Sequence, residues 1–358
     1  MTQTVASAAV RAKQWDDGVF FEYVRDSRFK RYMGTGENAI IQVQRDLTKK
    51  KGDGITFNLV GALPATYNDG TTQLVGNEVQ MPNDGHKITV GVVRQAVVVN
   101  NMDEQASAFD IRDAARVSIK NLAARLLKTA TITALGSMQG VPFATANAAQ
   151  RNQWTVANAD RVLFGAVANY NATWQTAINA ITPTQKMTYE LVGNLKRMAQ
   201  AAVTANGDGI RPYRYGEDEE TFVLFLGTKA FRDLRINMET MWENAQPRAD
   251  SNPLFSAPTS ILAQGVVVRE IPEIQGFSST AATPVPVEPF YFCGAQALGV
   301  AWAKTLRTTL RKEDDYGYQN GVGFEEIRAV DKILWGQGQT TAKDWGMVSG
   351  WVAAAPDV

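Results

Sequence analysis

Residues 55–100 read ITFNLVGALPATYNDGTTQLVGNEVQMPNDGHKITVGVVRQAVVVN. Ile55, Phe57 and Leu59 alternate with Thr56, Asn58 and Val60, the period of a strand with one buried face. From His86 to Asn100 the chain is rich in β-branched residues, with Ile88, Val90, Val92, Val93 and Val97 to Val99. Between them, residues 63–85 carry two turn signals, Asn68-Asp69-Gly70 and Asn83-Asp84-Gly85. A structureless loop of about 20 residues is uncommon inside a compact domain, so the stretch reads as a protruding two-stranded flap. Such a ribbon is marginal alone in water and needs a surface to lie on. Leu63, Tyr67, Leu74, Val79 and Met81 are expected to stand in solvent on a monomer and to be covered on a neighbouring copy.

Downstream, residues 103–136 hold the strongest helical pattern. Ile111, Ala115, Ile119, Leu122, Leu126, Ala130 and Ala134 recur at spacings of three and four. Asp103 or Asp110 is placed to cap the start, and Gly136 the end. One face carries Arg112, Arg116, Lys120 and Lys128. A helix of about 40 Å suits a structural spine.

Upstream, residues 1–51 hold ten basic and six acidic residues, a balance of +4. Val10 to Tyr32 can form an amphipathic helix with Trp15, Val19 and Tyr23 on one side. So small a leader cannot bury Phe20, Phe21, Phe29 and Tyr32 by itself, so it docks elsewhere. Beyond the spine, residues 137–160 are rich in Ala, Asn, Gln and Thr, and a boundary fits near 140–155. Helical segments follow at Asn158–Ala180, Met187–Val203 and Lys229–Asn244, with strands at Thr221–Leu226, Val266–Val268, Phe290–Phe292, Leu298–Trp302 and Val322–Trp335. Helices and strands are mixed without a repeat, so the class is α+β. From Glu313 onward there are eight acidic and three basic residues, a balance of −5 that complements the leader. Trp345 and Trp351 lie in a Gly/Ala-rich tail that cannot bury them within itself, so both point to a contact with another chain.

Composition removes many activities. The 358 residues carry no formal net charge, against a dedicated nucleic-acid binder. One cysteine, Cys293, excludes an intramolecular disulfide framework, and one histidine, His86, excludes two-histidine metal sites. Cys293 reads as a small buried hydrophobe. His86 reads as a surface turn residue rather than a general base. Gly34-Thr35-Gly36-Glu37-Asn38-Ala39 matches a dinucleotide fingerprint as a string, but helical residues precede it and β-like residues follow it, so it reads as a turn. Glu217–Glu220 and Glu313–Asp315 read as solvated acidic runs rather than cation sites. No catalytic, cofactor or metal residue is assigned. No apolar run reaches the length of a membrane span and the N-terminus lacks a secretory h-region, so synthesis in the cytoplasm is expected, and Asn171-Ala172-Thr173 is expected to carry no sugar.

The order of parts resembles the Hong Kong 97-type fold of tailed-phage major capsid proteins. Local strings resemble one family of these, related to podophage coats: Phe29-Lys30-Arg31-Tyr32-Met33-Gly34, Ile40-Ile41-Gln42-Val43, Asp46-Leu47, Lys51-Gly52-Asp53, Leu74-Val75-Gly76-Asn77-Glu78, Phe109-Asp110-Ile111-Arg112, Gly294-Ala295-Gln296-Ala297-Leu298, Ala301-Trp302, Tyr316-Gly317 and Gln319-Asn320-Gly321. The resemblance implies an N-arm at 1–51, an extended-loop hairpin with flanking strands at 52–101, and a peripheral-domain spine helix at 102–145. It further implies an axial domain at 146–310 and a peripheral-domain return strand at 311–336, and it leaves 337–358 as an unmatched tail. It implies hexamers and pentamers of this chain in an icosahedral shell around double-stranded DNA held without sequence specificity. Separate scaffolding, portal and decoration proteins are the partners it allows, and no membrane is among them. The rival readings are an encapsulin-like compartment shell and a cytoplasmic enzyme with an unrecognised site.

Overall fold

The computed structural model describes residues 27–45, 52–70, 73–100, 102, 105, 107, 111–215, 220–239, 260–314 and 319–356. Asp103, Asp110, the leader before residue 27 and Glu217–Glu219 therefore lie outside the described residues. The chain forms two compact units, and α1 (Ile111–Leu135), β13 (Leu298–Asp314) and β14 (Gln319–Lys332) contribute residues to both.

Among the described residues, the smaller unit gathers 92–127 and 305–327. Here β14 lies between β13 and β5 (Gly91–Asn100). Ile119 and Ala123 of α1 bury against Val322 and Phe324 of β14, with Val93, Leu122 and Leu126 around them. Ala115 is buried and Ile111 half-buried. The stripe at spacings of three and four is thus what faces the sheet, as an amphipathic helix requires.

The larger unit is built on a sheet ordered β6 (Val162–Phe164), β17 (Met347–Ala353), β12 (Pro286–Cys293), β8 (Glu220–Leu226), β10 (Val266–Glu270), β9 (Ser260–Ala263). The short strands β7 (Arg214–Tyr215) and β11 (Phe277–Ser278) extend β8 and β12. Both faces are covered. Phe222, Leu224, Leu226, Phe290 and Phe292 pack under α4 (Tyr189–Ala201) and α5 (Thr228–Asn237). Their alternates Val223, Phe225, Tyr291 and Cys293 pack on Phe29, Tyr32, Ile41 and the last turn of α1. This is why 222–226 and 290–293 are continuously apolar rather than alternating. A third cluster joins Trp154 of α2 (Ala148–Ala157), Trp174 of α3 (Trp174–Asn179), Phe164 and Trp351.

Along the same unit, β1 (Met33–Gly34) and β2 (Ile41–Gln44) are parallel, and β2 continues onto the start of β13 with Ile41 opposite Leu298. The hairpin pairs β3 (Gly54–Val60) with β4 (Asn83–Thr89), from Gly54 opposite Thr89 to Val60 opposite Asn83. β15 (Leu334–Trp335) pairs with β16 (Lys343–Asp344).

Several expectations from sequence need correction. Residues 337–358 are not an outlying tail: β17 pairs with β12 on one side and β6 on the other, and Trp351 is buried. The soft stretch near 140–155 contains α2, capped by a reciprocal Asn147–Gln150 box. Asn158–Ala180 is not one helix, because β6 enters the sheet and Gly165 turns the chain at φ +69° before α3. Of the four basic residues noted on α1, Lys128 is buried and paired with Glu273 at 2.8 Å. Asn83-Asp84-Gly85 is no turn but the first part of β4.

Candidate assembly surface

The hairpin base is fixed from the residues upward. Ile55, Phe57, Leu59 and Ile88 point one way and bury against Ala301 and Ile333, with Trp335 and Trp345 alongside. Trp335 and Trp345 stack at 5.4 Å, so Trp345 is spent inside this chain. Gln337 closes the free edge of β4 as a substitute strand: Lys87 N–H donates to its Oε1 at 2.7 Å, and its Nε2 donates to the Lys87 carbonyl at 2.9 Å. Gly336 N–H donates to the Asp84 carboxylate. On the outer face, Lys87 Nζ lies 3.1 Å from Asp53 and holds that carboxyl below its ordinary range, by hydrogen bond first and charge second.

His86 is not the surface residue that its neighbours suggest. It lies opposite Phe57 in the inward row of the hairpin and is fully buried, with Nε2 3.6 Å from Asp331. A polar type beside Gly85 and Lys87 hides this position, and only the strand register reveals it.

Beyond the base, the described part of 61–82 holds no strand. The loop leaves and returns at Gly61, whose N–H donates to the Pro82 carbonyl at 2.9 Å. It turns at Gly70 (φ +64°) and Gly76 (φ +91°), conformations that glycine adopts without strain. Local bonds hold the second turn: Asn77 N–H to the Leu74 carbonyl at 3.0 Å, and Gly76 N–H to the Glu78 carboxylate at 2.8 Å. The expected two-stranded flap is therefore a short ribbon, 54–60 with 83–89, that carries an irregular tip. Pro64 and Pro82 deny donors to a longer ladder.

The five side chains singled out from sequence stand in water in this chain. Tyr67 is 85% exposed and Leu74 68%, and Leu63, Val79 and Met81 are also exposed. Sequence reasoning missed Val75, 75% exposed, and Val60, which points outward from the end of β3. The loop carries Asp69 and Glu78 and no Lys or Arg. In the smaller unit, Val92, Val97 and Val98 of β5 and Leu306 and Leu310 of β13 are a second exposed apolar set. Of the run Val97-Val98-Val99, only Val99 is buried.

The Gly34–Ala39 string links parallel β1 and β2 and is followed by a strand, where a dinucleotide site requires a helix. Its Glu37 and Asn38 side chains are both taken by Arg211, at 3.0 Å each. Among the described residues, no group of three His, Cys, Asp or Glu side chains could hold a metal ion. Cys293 is buried, and burial pushes its thiol far above the ordinary range. No helix of the described residues is long and apolar enough to cross a membrane.

Comparison with known proteins points to phage capsids. A family model described as phage capsid protein matches residues 3–354. The capsid protein of cyanophage Pam1 is similar at 31% identity and TM-score 0.88, over 100% of both chains. The capsid protein of Ralstonia phage GP4 follows at 21% identity and TM-score 0.76, again over 100% of both. That of Helicobacter pylori bacteriophage KHP30 shares the fold at 12% identity and TM-score 0.70, covering 97% of this chain and 96% of that one. No curated protein matches.

Proposed function

The chain belongs to the phage capsid protein family, and from that membership we infer that it is the major capsid protein forming the shell of a bacteriophage. It is a structural protein of the virion capsid. The observation that carries the assembly reading is the 61–82 loop: a run of exposed apolar side chains on a hairpin whose base is locked and whose tip has no partner surface in its own ladder. Leu63, Tyr67, Leu74, Val79 and Met81, with Val75, are the side chains that a neighbouring copy covers. A stable pairwise contact buries about 1,200–2,000 Å². A loop of this size supplies a share of that, and the remainder falls to other faces.

The finer features follow as part of the same proposal. Copies gather as hexamers and pentamers of an icosahedral shell, with residues 52–101 as the extended loop and α1 as the spine. Double-stranded DNA fills the interior without sequence-specific contacts, which suits a chain of zero net charge. Separate scaffolding and portal proteins guide closure. The named structural relatives are phage capsids, which favours a genome container over an enzyme compartment.

Negative-stain imaging and sedimentation of the purified chain test this directly. Closed particles of uniform size are the expected result. A monomer at high concentration, with 61–82 protected from proteases, overturns it.

A further inference from the structure

We propose that Asp69 is a site of spontaneous succinimide formation and isomerisation, open in the free subunit and shielded once the loop is covered; the shielding rests on the assembly role proposed above. In the reaction, the backbone nitrogen of Gly70 attacks the side-chain carboxyl carbon of Asp69. A C–N bond forms, the carboxyl hydroxyl and the amide proton leave together as water, and a five-membered imide results. Water then opens the ring at either carbonyl, returning aspartate or leaving the main chain routed through the side-chain carboxyl. No oxidant, metal or enzyme is needed.

Asp-Gly steps favour this closure because glycine puts no Cβ beside the attacking nitrogen and lets the backbone rotate. The chain has four such steps among the described residues, and the structure separates them. Asp53-Gly54 enters β3, and the Asp53 carbonyl accepts from Val90 N–H at 3.0 Å. Asp84-Gly85 lies within the β3–β4 ladder, Asp84 opposite Leu59 and Gly85 opposite Asn58. Gly209 is packed on the end of α4, where a Cβ would sit 2.4 Å from the Gln200 carbonyl, and the next residue bonds Ala199 at 2.8 Å. Ring closure at any of these three must first break ladder or packing contacts. The main chain at Gly70 is set differently. It is exposed, no strand includes it, and a Cβ built on it would meet nothing within 4 Å.

The consequence is mechanical. Isomerisation inserts one extra main-chain carbon between Tyr67 and Leu74, the two most exposed aromatic and leucine side chains of the loop, and so changes their spacing. Unassembled subunits would age toward a loop that fits its neighbour poorly, while subunits in a shell would not.

The test incubates the full chain, as free subunits and as assembled shells, in heavy-oxygen water at neutral pH and physiological temperature. Peptide mapping then reads label at each aspartate. In free subunits, label at Asp69 is expected to exceed that at Asp53, Asp84 and Asp208 by at least about tenfold, the factor that about 1.4 kcal/mol of local opening imposes. Gly70→Ala should suppress it. Asp69→Asn should cyclise with loss of ammonia and take up label at the same place. Equal label across the four steps, or none at Asp69, overturns the site. Strong label at Asp69 in shells as well as subunits keeps the site and overturns the covering of the loop, so the two failures are told apart.

Discussion

Residues 61–82 and 343–353 make an instructive pair. Both mix large apolar side chains with glycine, and in sequence both look like pieces set aside for another chain. The structure sends them to opposite fates. In β17 all seven residues are buried; β12 pairs along its whole length and β6 along Ser349–Trp351. In 61–82 the apolar side chains face water and the backbone is held by turns. Hydrophobicity does not separate the two. What does is whether the backbone can be paired: prolines and positive-φ glycines interrupt one, and none interrupts the other from Met347 to Ala353.

If β17 is core, damage to it should appear in the isolated subunit. Trp351 stacks on Phe164 at 5.3 Å and meets Trp154 and Trp174 edge-on at 6.0 and 5.5 Å. Trp351→Ala should cost about 3–5 kcal/mol, read as a lowered urea midpoint or loss of soluble protein. A variant that melts like the wild type breaks the contrast. Next comes the buried pair beside it. Lys332 Nζ and Asp344 lie 3.0 Å apart, each 1% exposed, and the lysine also donates to the Ser137 carbonyl at 2.7 Å. Lys332→Met strands a buried carboxylate and should cost about 3 kcal/mol, the low end for such a change because the Trp154 indole N–H still reaches Asp344. Adding Asp344→Leu should restore most of the loss, which a double-mutant cycle in urea would show.

Why one region was legible and the other was not follows from the same residues. Periodicity exposes α1, β3 and α4, because each has one buried face and an amphipathic repeat records it. The two-sided strands β8 and β12 are legible as apolar runs. β17 hides behind Gly346, Ser349 and Gly350. These look like looseness, yet a Cβ on Gly350 would lie 2.3 Å from the Leu163 carbonyl and 2.5 Å from the Phe290 ring. Small residues there mark close strand contact, a signal that composition alone cannot tell from a linker. His86 hides for the complementary reason: a polar type beside Gly85 reads as surface, where the strand register puts it inside. The function rested on resemblance, since an assembly surface has no catalytic motif to recognise.

A smaller effect tests the electrostatics of the core that β17 completes. Glu288 of β12, opposite Val352, is buried, and its carboxylate accepts from Ala230 N–H at 2.6 Å at the start of α5. Burial raises its pKa above the ordinary carboxylate value, and the hydrogen bond to Ala230 opposes this only in part. The folded state then holds the proton more tightly than the unfolded chain. The stability that this contributes is complete below the usual carboxylate range and is lost as pH climbs through the raised value. Glu288→Gln keeps an acceptor for Ala230 and removes the titration. The difference in urea midpoint between wild type and Gln should therefore fall as pH rises through that window and stay level above it. A difference that grows with pH would place the shift in the other direction.

The smallest stability effect should belong to the loop, and it sharpens the comparison most. Val60 and Asn83 are paired partners, so residues 61–82 can be replaced by a two-residue Asn-Gly turn that closes β3 onto β4 without shifting register. The deletion must stop at 82, because 83–85 are strand. The inward row Ile55, Phe57, Leu59 and Ile88 is untouched, so the subunit should melt within about 0.5 kcal/mol of wild type. Closed shells should nevertheless fail to form, by electron microscopy and sedimentation. Trp351→Ala and the loop replacement would then be mirror images, one removing the subunit and the other only its association. If the shortened chain unfolds instead, the loop is part of its own subunit's core. If it builds normal particles, the contacts that hold the shell lie elsewhere, and the exposed valines of β5 become the first surface to mutate.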